Sequence, residues 1–388
     1  MISVARRRYL SLVFVTSFFL ALLGVVFFVL SFKDAVGSDF VSFLTGAKIL
    51  ESGNGENLYD FRTQFEYQKI VTKPLEENSL LPYINVPILA LLLVPLTDLS
   101  LLNAFKLYTL LILVVVVSIS LLVKKIFENL SSSYWLLLPF VFYPSIGSVF
   151  VGQITQILVL VLLLVYKFVR ERKAFISGIL CSLLMVKFQY IIFSIYIFIL
   201  VKDRKKYLSG YLLGLTVILL ISTVLTNGAF IKDYLNFVFV MQKPQFGIRA
   251  EDMFTLHASL SQFYLFSYSQ LFMVNFFFFL ASVGVFWLSV KRLSLDRAFL
   301  IAIIFTLIFC VHGVNYDYAI SIIPIFILIN KLKSNIGLEI GEKISLFILL
   351  MAPVFFVIQK SFYVSFLLLA TAIFLIKEHR NNSIIEKI

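Results

Sequence analysis

Long apolar runs, separated by short polar turns, make up most of the chain. The runs 9–32 and 101–123 are each long enough to cross a bilayer, which takes about 20 apolar residues. The other apolar runs are shorter or carry polar residues: 134–150, 153–169, 174–187, 189–201, 207–226, 270–290, 296–312, 316–330, 342–358 and 362–376. The pattern therefore predicts an all-α polytopic membrane protein with about 11 to 13 transmembrane helices in one domain, residues 1–388.

One run does not fit a simple alternation of inward and outward turns. Residues 83–97 would begin and end on the same side, and Pro87 and Pro95 interrupt them. They form a re-entrant or broken segment, which must then be covered by protein or by a water-filled cavity. Alternatively, they form a true crossing, and 134–150 is the re-entrant segment.

Several other runs have only about 14 residues, too few for a simple bundle. Short helices that meet at polar turns predict a vestibule on the outer face.

Clusters of Lys and Arg separate the apolar runs and indicate the cytoplasmic side. These clusters are Arg6–Arg8, Lys124-Lys125, Arg170–Lys173, Lys202–Lys206, Lys291-Arg292, Lys331–Lys333 and Lys377–Arg380. Both termini are then cytoplasmic, as expected for a multi-pass protein of a bacterial inner membrane. The first run is longer than the roughly 7–15 residues of a signal-peptide core, so we expect an uncleaved helix. Residues 35–37 nevertheless resemble a small-residue cleavage site.

Two polar stretches, 33–82 and 227–268, are the predicted outer loops. In the first, apolar residues from Phe40 to Leu50 follow helical spacing, and Gly53-Asn54-Gly55 ends this predicted helix. Asp60 is placed to begin a second helix around 61–72. Polar residues on the remaining faces predict amphipathic helices that lie in the membrane interface.

Composition excludes several classes of protein. The chain is 61% hydrophobic, with a mean hydropathy of +0.99, which is too apolar for a soluble domain. The net charge is +12, but the cations lie in short loops, so we expect contact with membrane lipids and not with nucleic acid. Cys181 and Cys310 lie in apolar runs and the histidines are scattered, so neither a metal site nor a cofactor is predicted. The sequence also lacks the glycine-rich loops that bind nucleotides.

Asp39 is the first candidate for chemistry. It lies just beyond the first apolar run, at the start of the first outer loop. One interpretation is structural, since Ser38 or Asp39 would cap the helix that follows. The other is catalytic, since a carboxylate beside water can accept the proton of an attacking hydroxyl group.

Two other outward turns carry candidate residues. Residues 312–318 contain His312, Tyr316 and Asp317, and ionisable groups at membrane depth are functional candidates by default. The alternative is a solvated turn in which Asp317 caps the next helix. Lys187 lies in an apolar run, where it either extends its ammonium group to the interface or pairs with a lipid phosphate. Gln153 is a further hydrogen-bond donor on a neighbouring turn.

The order and spacing of several short motifs resemble glycosyltransferase family 87, a family of polytopic membrane enzymes of the GT-C superfamily. The motifs are Asp39-Phe40, Gly46-Ala47, Leu58-Tyr59-Asp60, Pro87, Leu92, Val94-Pro95-Leu96, Gly152-Gln153, Gly178, Lys187-Phe188-Gln189, His312, Tyr316-Asp317-Tyr318 and Pro324. Two positions depart from the family pattern. Phe188 stands where a proline is usual, and residues 83–87 lack the usual proline pair.

The resemblance implies a GT-C-type bundle that transfers a hexose, typically mannose, with inversion. The donor is a polyprenyl-phosphate sugar, and the acceptor is a lipid-linked molecule or a glycan. Asp39 takes the role of the family's outer-loop acid, the base that acts on the acceptor hydroxyl. Lys187, Gln189 and His312 become candidates for the donor phosphate. Gln153, Tyr316 and Asp317 complete the candidate substrate-binding set.

Two other functions compete with this interpretation. A polymerase of lipid-linked repeat units would carry a large arginine-rich outer loop, whereas residues 227–268 contain a single arginine, Arg249. A transporter or flippase would show inverted repeats and charged residues near the bilayer midplane. The polar residues here gather instead at one predicted face, which favours the enzyme.

Overall fold

The computed structural model describes residues 24, 26, 30–74, 79–130, 134–241, 252–263, 267–334 and 337–385. The predicted first span, 9–32, lies almost entirely outside these residues. The α-helices are α1 (Phe32–Val36), α2 (Phe40–Glu51), α3 (Phe61–Thr72), α4 (Pro87–Leu93), α5 (Leu101–Ile126), α6 (Leu138–Val141), α7 (Tyr143–Phe150), α8 (Thr155–Arg170), α9 (Ala174–Ser182), α10 (Ile191–Leu200), α11 (Arg204–Leu225), α12 (Phe230–Met241), α13 (Leu256–Ser261), α14 (Tyr268–Ser289), α15 (Leu295–Phe309), α16 (Ile322–Leu332), α17 (Ile340–Val357) and α18 (Tyr363–Ile385).

The described residues confirm the all-α class. Their only β-structure is an isolated bridge between Met253 and Val314. Within the described chain, five helical stretches are long and apolar enough to cross a membrane. They are Leu101–Ile126, Ala174–Leu200, Arg204–Leu225, Ser269–Arg292 and Ile340–Val357. The protein is therefore a polytopic membrane protein. The total of 11 to 13 crossings stays a prediction, because the apolar stretches of the other described helices are shorter.

The stretch Ala174–Leu200 is not one straight helix. The backbone of Lys187 leaves the helical region, with φ −127° and ψ 82°. The Ser194 hydroxyl donates a hydrogen bond to the carbonyl oxygen of Cys181 at 3.4 Å. In a continuous helix these two residues would lie about 20 Å apart, at 1.5 Å per residue. The chain therefore reverses near Lys187, where the sequence predicted a turn between two short segments.

Both segments that were assigned alternative topologies are broken. In the first, α4 gives way at Val94 to a single 3₁₀ turn that ends at Leu96. In 134–150, α6 ends at Val141, and the extended backbone of Phe142 separates it from α7. Proline lies at the start of each of these short helices, where it needs no hydrogen-bond donor and fixes φ.

The first predicted outer loop folds into α2 and α3, as its sequence pattern indicates. Asp60 caps α3 by accepting a hydrogen bond from the Thr63 amide at 2.7 Å. The expectation of an amphipathic interfacial helix is wrong for α2, because Ser42 and Thr45 on its predicted polar face are buried. Neighbouring elements cover α2 on nearly every side. The helix is therefore part of the core.

Two clusters of buried hydrophobic side chains organise the molecule. One is built from α2, α4, the first part of α5 and α12. The other is built from α8 to α10 and from α15 to α18. Val149 and Ile154 belong to the first cluster, whereas Cys310 and Tyr318 belong to the second. Gln153 and the turn 311–317 therefore lie where the two clusters meet, and this boundary positions the candidate site.

Candidate functional site

A cavity of ≈ 260 Å³ lies at this boundary. Part of its lining is polar or charged, and the rest consists mainly of apolar side chains. The lining residues are Asp39, Ser42, Phe43, Ser79, Leu80, Leu81, Pro82, Ile84, Asn85, Gln153, Lys187, His312 and Tyr316. They come from segments that are far apart in the sequence, so the tertiary fold alone creates this cavity.

Asp39 stands at the N-cap position of α2, but its side chain does not cap the helix. Its carboxylate instead accepts a hydrogen bond from Gln153 Nε2 at 2.6 Å. Its backbone amide donates to the carbonyl oxygen of Val151 at 2.8 Å. The capping interpretation of Asp39 is therefore wrong, and the carboxylate faces the cavity.

Gly152 makes this approach possible. Its φ is +76°, which residues with a side chain rarely adopt, and a Cβ atom there would lie 2.8 Å from Cβ of Phe40. The turn at Gly152 thus brings Gln153 next to the start of α2. A side chain at position 152 would separate the amide of Gln153 from the carboxylate of Asp39.

The carboxylate of Asp39 has neutral hydrogen-bonding partners. Gln153 Nε2 bridges it to the hydroxyl of Tyr316, at 3.2 Å. Burial raises the pKa of Asp39 above its ordinary value, and hydrogen bonds from Gln153 and Tyr316 and the charge of Lys187 only partly offset that rise. A carboxylate with a raised pKa holds a proton more readily, which suits a general base.

Lys187, which lines the cavity, forms a buried ion pair with Asp317, which does not line it. The side chain of Lys187 is 8% exposed and that of Asp317 is fully buried. Thr155 Oγ1 donates a further hydrogen bond to the same carboxylate at 3.1 Å. Lys187 Nζ also lies 5.1 Å from the centre of the Tyr316 ring. The ammonium group is therefore held in one place at the cavity's edge, with its charge balanced by Asp317.

His312 lies on the turn between α15 and the 3₁₀ helix Asn315–Ser321. Its neighbour Gly313 accepts a hydrogen bond from the Phe254 amide at 3.0 Å, so the second predicted outer loop packs on this turn. Desolvation lowers the pKa of His312 to about 4. The imidazole is neutral near pH 7 and can donate or accept a hydrogen bond, but it adds no positive charge.

Five of the seven predicted site residues line this one cavity: Asp39, Gln153, Lys187, His312 and Tyr316. Asp317 does not, because it is buried beneath Lys187. Gln189 is 5% exposed and does not line the cavity, and its amide nitrogen has no hydrogen-bond partner among the described residues. Direct contact between these two side chains and a substrate in this cavity is therefore not supported by the geometry.

The sequence did not reveal the apolar wall formed by residues 79–85. Leu80, Pro82 and Ile84 face the cavity, yet this segment is neither helical nor part of a strand. Hydrophobic periodicity identifies helices and strands, so it does not detect an irregular stretch of this kind. Within the described part of the chain, no three His, Cys, Asp or Glu side chains are grouped closely enough to hold a metal ion.

The cavity thus combines a buried acid, a cation that is fixed by an ion pair, and neutral hydrogen-bond donors. Such an arrangement can deprotonate a hydroxyl group at one point and stabilise an anionic leaving group at another.

Residues 83–312, more than half of the chain, match glycosyltransferase family 87. The matched region includes Gln153, Lys187 and His312, whereas Asp39, Tyr316 and Asp317 lie outside it. No curated protein and no solved structure matches the chain. The family match and the membrane-spanning helices agree with the sequence-based interpretation. The chain belongs to glycosyltransferase family 87.

Proposed function

We propose that this membrane glycosyltransferase moves a hexose, most simply mannose, from a polyprenyl-phosphate donor to a lipid-linked or glycan acceptor, with inversion. The observation that carries the proposal is the position of Asp39, Lys187 and His312 around one cavity. These residues lie on three separate segments of the chain. Their convergence is what a reaction with one base and one leaving group requires.

Asp39 is the general base in this proposal. The acceptor oxygen attacks the anomeric carbon, its proton passes to the Asp39 carboxylate, and the bond between that carbon and the phosphate oxygen breaks. Gln153 holds the carboxylate at 2.6 Å, so the base does not have to be ordered when the acceptor arrives. Attack on the face opposite the phosphate inverts the anomeric centre.

Lys187 and His312 stabilise the departing phosphate. Negative charge develops on the phosphate oxygen as the bond breaks, and a nearby ammonium group stabilises it most. Asp317 holds Lys187 and therefore acts as a positioning residue beneath the site. Neutral His312 supplies a hydrogen bond from the adjoining turn.

A second cavity supports a lipid-linked donor. It has a volume of ≈ 280 Å³ and is lined mainly by apolar side chains of α5, α6 and α7, such as Leu113, Ile146 and Phe150. Phe150 ends α7, and Gln153 of the polar cavity follows three residues later. An apolar chain in the second cavity would therefore place its phosphate end near the polar one.

The same proposal places the polar cavity on the outer side of a bacterial inner membrane, with both termini in the cytoplasm. The basic clusters support this orientation. Alternative functions as a repeat-unit polymerase or as a flippase lack a supporting feature in the described residues. A flippase would not need the buried base.

The test is incubation of membranes that contain the protein with radiolabelled polyprenyl-phosphate hexoses, followed by separation of the lipid and glycan products. We expect transfer of label to a product whose new glycosidic bond has the inverted configuration. Transfer only from nucleotide sugars would contradict the lipid-linked donor. Retention of configuration would contradict the single displacement.

A further inference from the structure

Two glutamines of α3 are buried completely and bind the backbone of the cavity's apolar wall. We call residues 79–85 the wall segment. Gln68 donates to the carbonyl oxygen of Ser79 at 2.8 Å and accepts from the Leu81 amide at 2.8 Å. Gln64 donates to the carbonyl oxygen of Tyr83 at 3.2 Å and accepts from the Tyr83 amide at 2.9 Å.

These contacts resemble the ladder between two β-strands. Gln64 and Gln68 are one helical turn apart, so their amide groups point to the same side of α3. They bind the backbone at 79, 81 and 83, which alternates along the wall segment as in a strand. The wall segment is thereby held along its length, although no second strand pairs with it in the described structure.

The wall segment is also joined to the helix that begins at Asp39. The Tyr83 ring packs closely against Gly46 of α2. A Cβ atom added at Gly46 would lie only 2.8 Å from the Tyr83 ring. The hydroxyl of Tyr83 donates to the carbonyl oxygen of Val86 at 2.6 Å and accepts from the Ala90 amide at 3.1 Å. The wall segment and the base therefore share one scaffold. Lys187 and His312 come from other parts of the molecule.

In the proposed reaction, the scaffold of Asp39 and the wall segment binds the acceptor, and the segments of Lys187 and His312 bind the donor. The donor phosphate requires the cation, so it lies toward Lys187. The acceptor hydroxyl must reach Asp39, so the rest of the acceptor lies beside Asp39. The neighbouring surface is formed by Ser42 and Phe43 of α2 and by the wall segment.

We infer that Gln64 and Gln68 are positioning residues that fix the wall against which the acceptor binds. This inference rests on the proposed function. Neither glutamine lines the cavity, so both act through the backbone that they hold. The wall presents Leu80, Pro82 and Ile84, and these suit an acceptor with an apolar face beside its reacting hydroxyl, such as a sugar ring or a lipid-linked sugar.

The experiment compares steady-state kinetics of the full-length wild-type protein and the double variant Gln64→Met/Gln68→Met. Methionine has a similar volume and flexibility but cannot pair with the backbone. We expect the KM for the acceptor to rise about tenfold or more, because several neutral hydrogen bonds that fix the wall are lost. The KM for the donor and kcat should change less than about twofold, because Asp39 and Lys187 keep their own partners.

Thr72→Val is the matched control. Thr72 lies on the same buried face of α3, but its hydroxyl donates only within the helix, to the carbonyl oxygen of Gln68 at 3.0 Å. We expect its acceptor KM to equal that of the wild type. An unchanged acceptor KM in the double variant, with or without a lower melting temperature, would overturn the inference, as would an equal rise in the donor KM.

A second variant tests the wall directly if the double variant does not fold. Leu80 is partly exposed in the cavity, so Leu80→Trp fills space without opening the core. We expect a higher acceptor KM and an unchanged donor KM, and unchanged values for both would overturn the inference. Failure of the proposed function looks different, because the wild-type protein would then transfer no label.

Discussion

Two charged clusters lie at opposite ends of α15 and α16, and they differ in how completely their charges are paired. At one end, Arg297 donates to Glu339 at 3.0 Å and to Glu342 at 2.8 Å, and Lys331 binds Glu342 at 2.7 Å. Two cations therefore face two carboxylates. We call this group the Glu342 cluster.

At the other end, Lys187 is paired with Asp317, and no cation lies within salt-bridge distance of Asp39 in the described residues. His312 is neutral near pH 7, since its pKa is lowered to about 4. We call this group the Asp39 cluster. Its one cation faces two carboxylates, and the excess charge belongs to the residue that faces the cavity.

The comparison distinguishes a cluster whose charges are paired from a cluster that contains an acid without a cationic partner in the described residues. Removing one partner of a buried ion pair destabilises the fold strongly, because the other charge is then left buried without compensation. A carboxylate held by neutral donors keeps its capacity to take a proton. The Glu342 cluster therefore links the ends of α15, α16 and α17, whereas the Asp39 cluster contains a carboxylate that is held by neutral donors and lines the cavity.

The largest expected effect is that of Asp39→Asn. Loss of a general base typically lowers the rate by about 10²–10⁴-fold, so we expect a decrease of this size in kcat. The fold should be preserved, because asparagine has nearly the same shape as aspartate and the backbone bond to Val151 remains. Single-turnover transfer from labelled donor measures the change.

Asp60→Asn is the matched control for this prediction. Asp60 lies in the same loop, but its carboxylate caps α3, which asparagine also does well. Its turnover should stay within about twofold of the wild type. Near-normal turnover of Asp39→Asn would show that the unpaired acid is not the base, and the contrast between the two clusters would then have no functional meaning.

Glu342→Ala should have the next largest effect, and on stability alone. It removes the common partner of Arg297 and Lys331, and breaking a buried ion pair typically costs about 3–5 kcal/mol. We expect a value near the lower limit, since Glu339 still pairs with Arg297. Denaturant unfolding in mild detergent measures the free energy of unfolding, and kcat per folded molecule should not change. A large drop in kcat would mean that the two clusters are coupled.

The pair Lys187–Asp317 combines both kinds of behaviour. Lys187→Met leaves the fully buried carboxylate of Asp317 without its cation, so we expect loss of stability by about 3 kcal/mol together with weaker donor binding. The double variant Lys187→Met/Asp317→Asn restores neutrality. It should recover most of the stability but not the donor affinity. Recovery of donor affinity as well would remove Lys187 from the phosphate site.

Local patterns predicted much of the fold. Helical spacing predicted α2 with its end near Gly53, and Asp60 predicted the start of α3. The polar interruption at Lys187 predicted the reversal between α9 and α10. In each case the signal lies within one or two helical turns of the feature that it predicts, so a single sequence is sufficient.

The site depended on contacts that no local pattern contains. Asp39 and Gln153 are 114 residues apart, and a glycine turn decides that the carboxylate meets the amide and does not cap α2. The sequence pattern likewise predicted an amphipathic α3, but Gln64 and Gln68 are buried because backbone groups of the wall segment and of Leu58 supply their partners. A sequence shows that a side chain is polar but not where its partner lies.

The smallest effect is expected from Gln153→Met, and it separates the electrostatic role of Gln153 from a role in substrate contact. The hydrogen bond from Gln153 lowers the pKa of Asp39, so its loss should raise that pKa further. Since the base acts only when deprotonated, the acid limb of kcat/KM against pH should move to higher pH, by about one unit. Gln156→Met is the control, because Gln156 is also buried but donates to Ser148 Oγ at 2.7 Å and not to Asp39. A uniform loss of activity at every pH would assign Gln153 to substrate binding, and the neutral donors of the Asp39 cluster would then not tune its base.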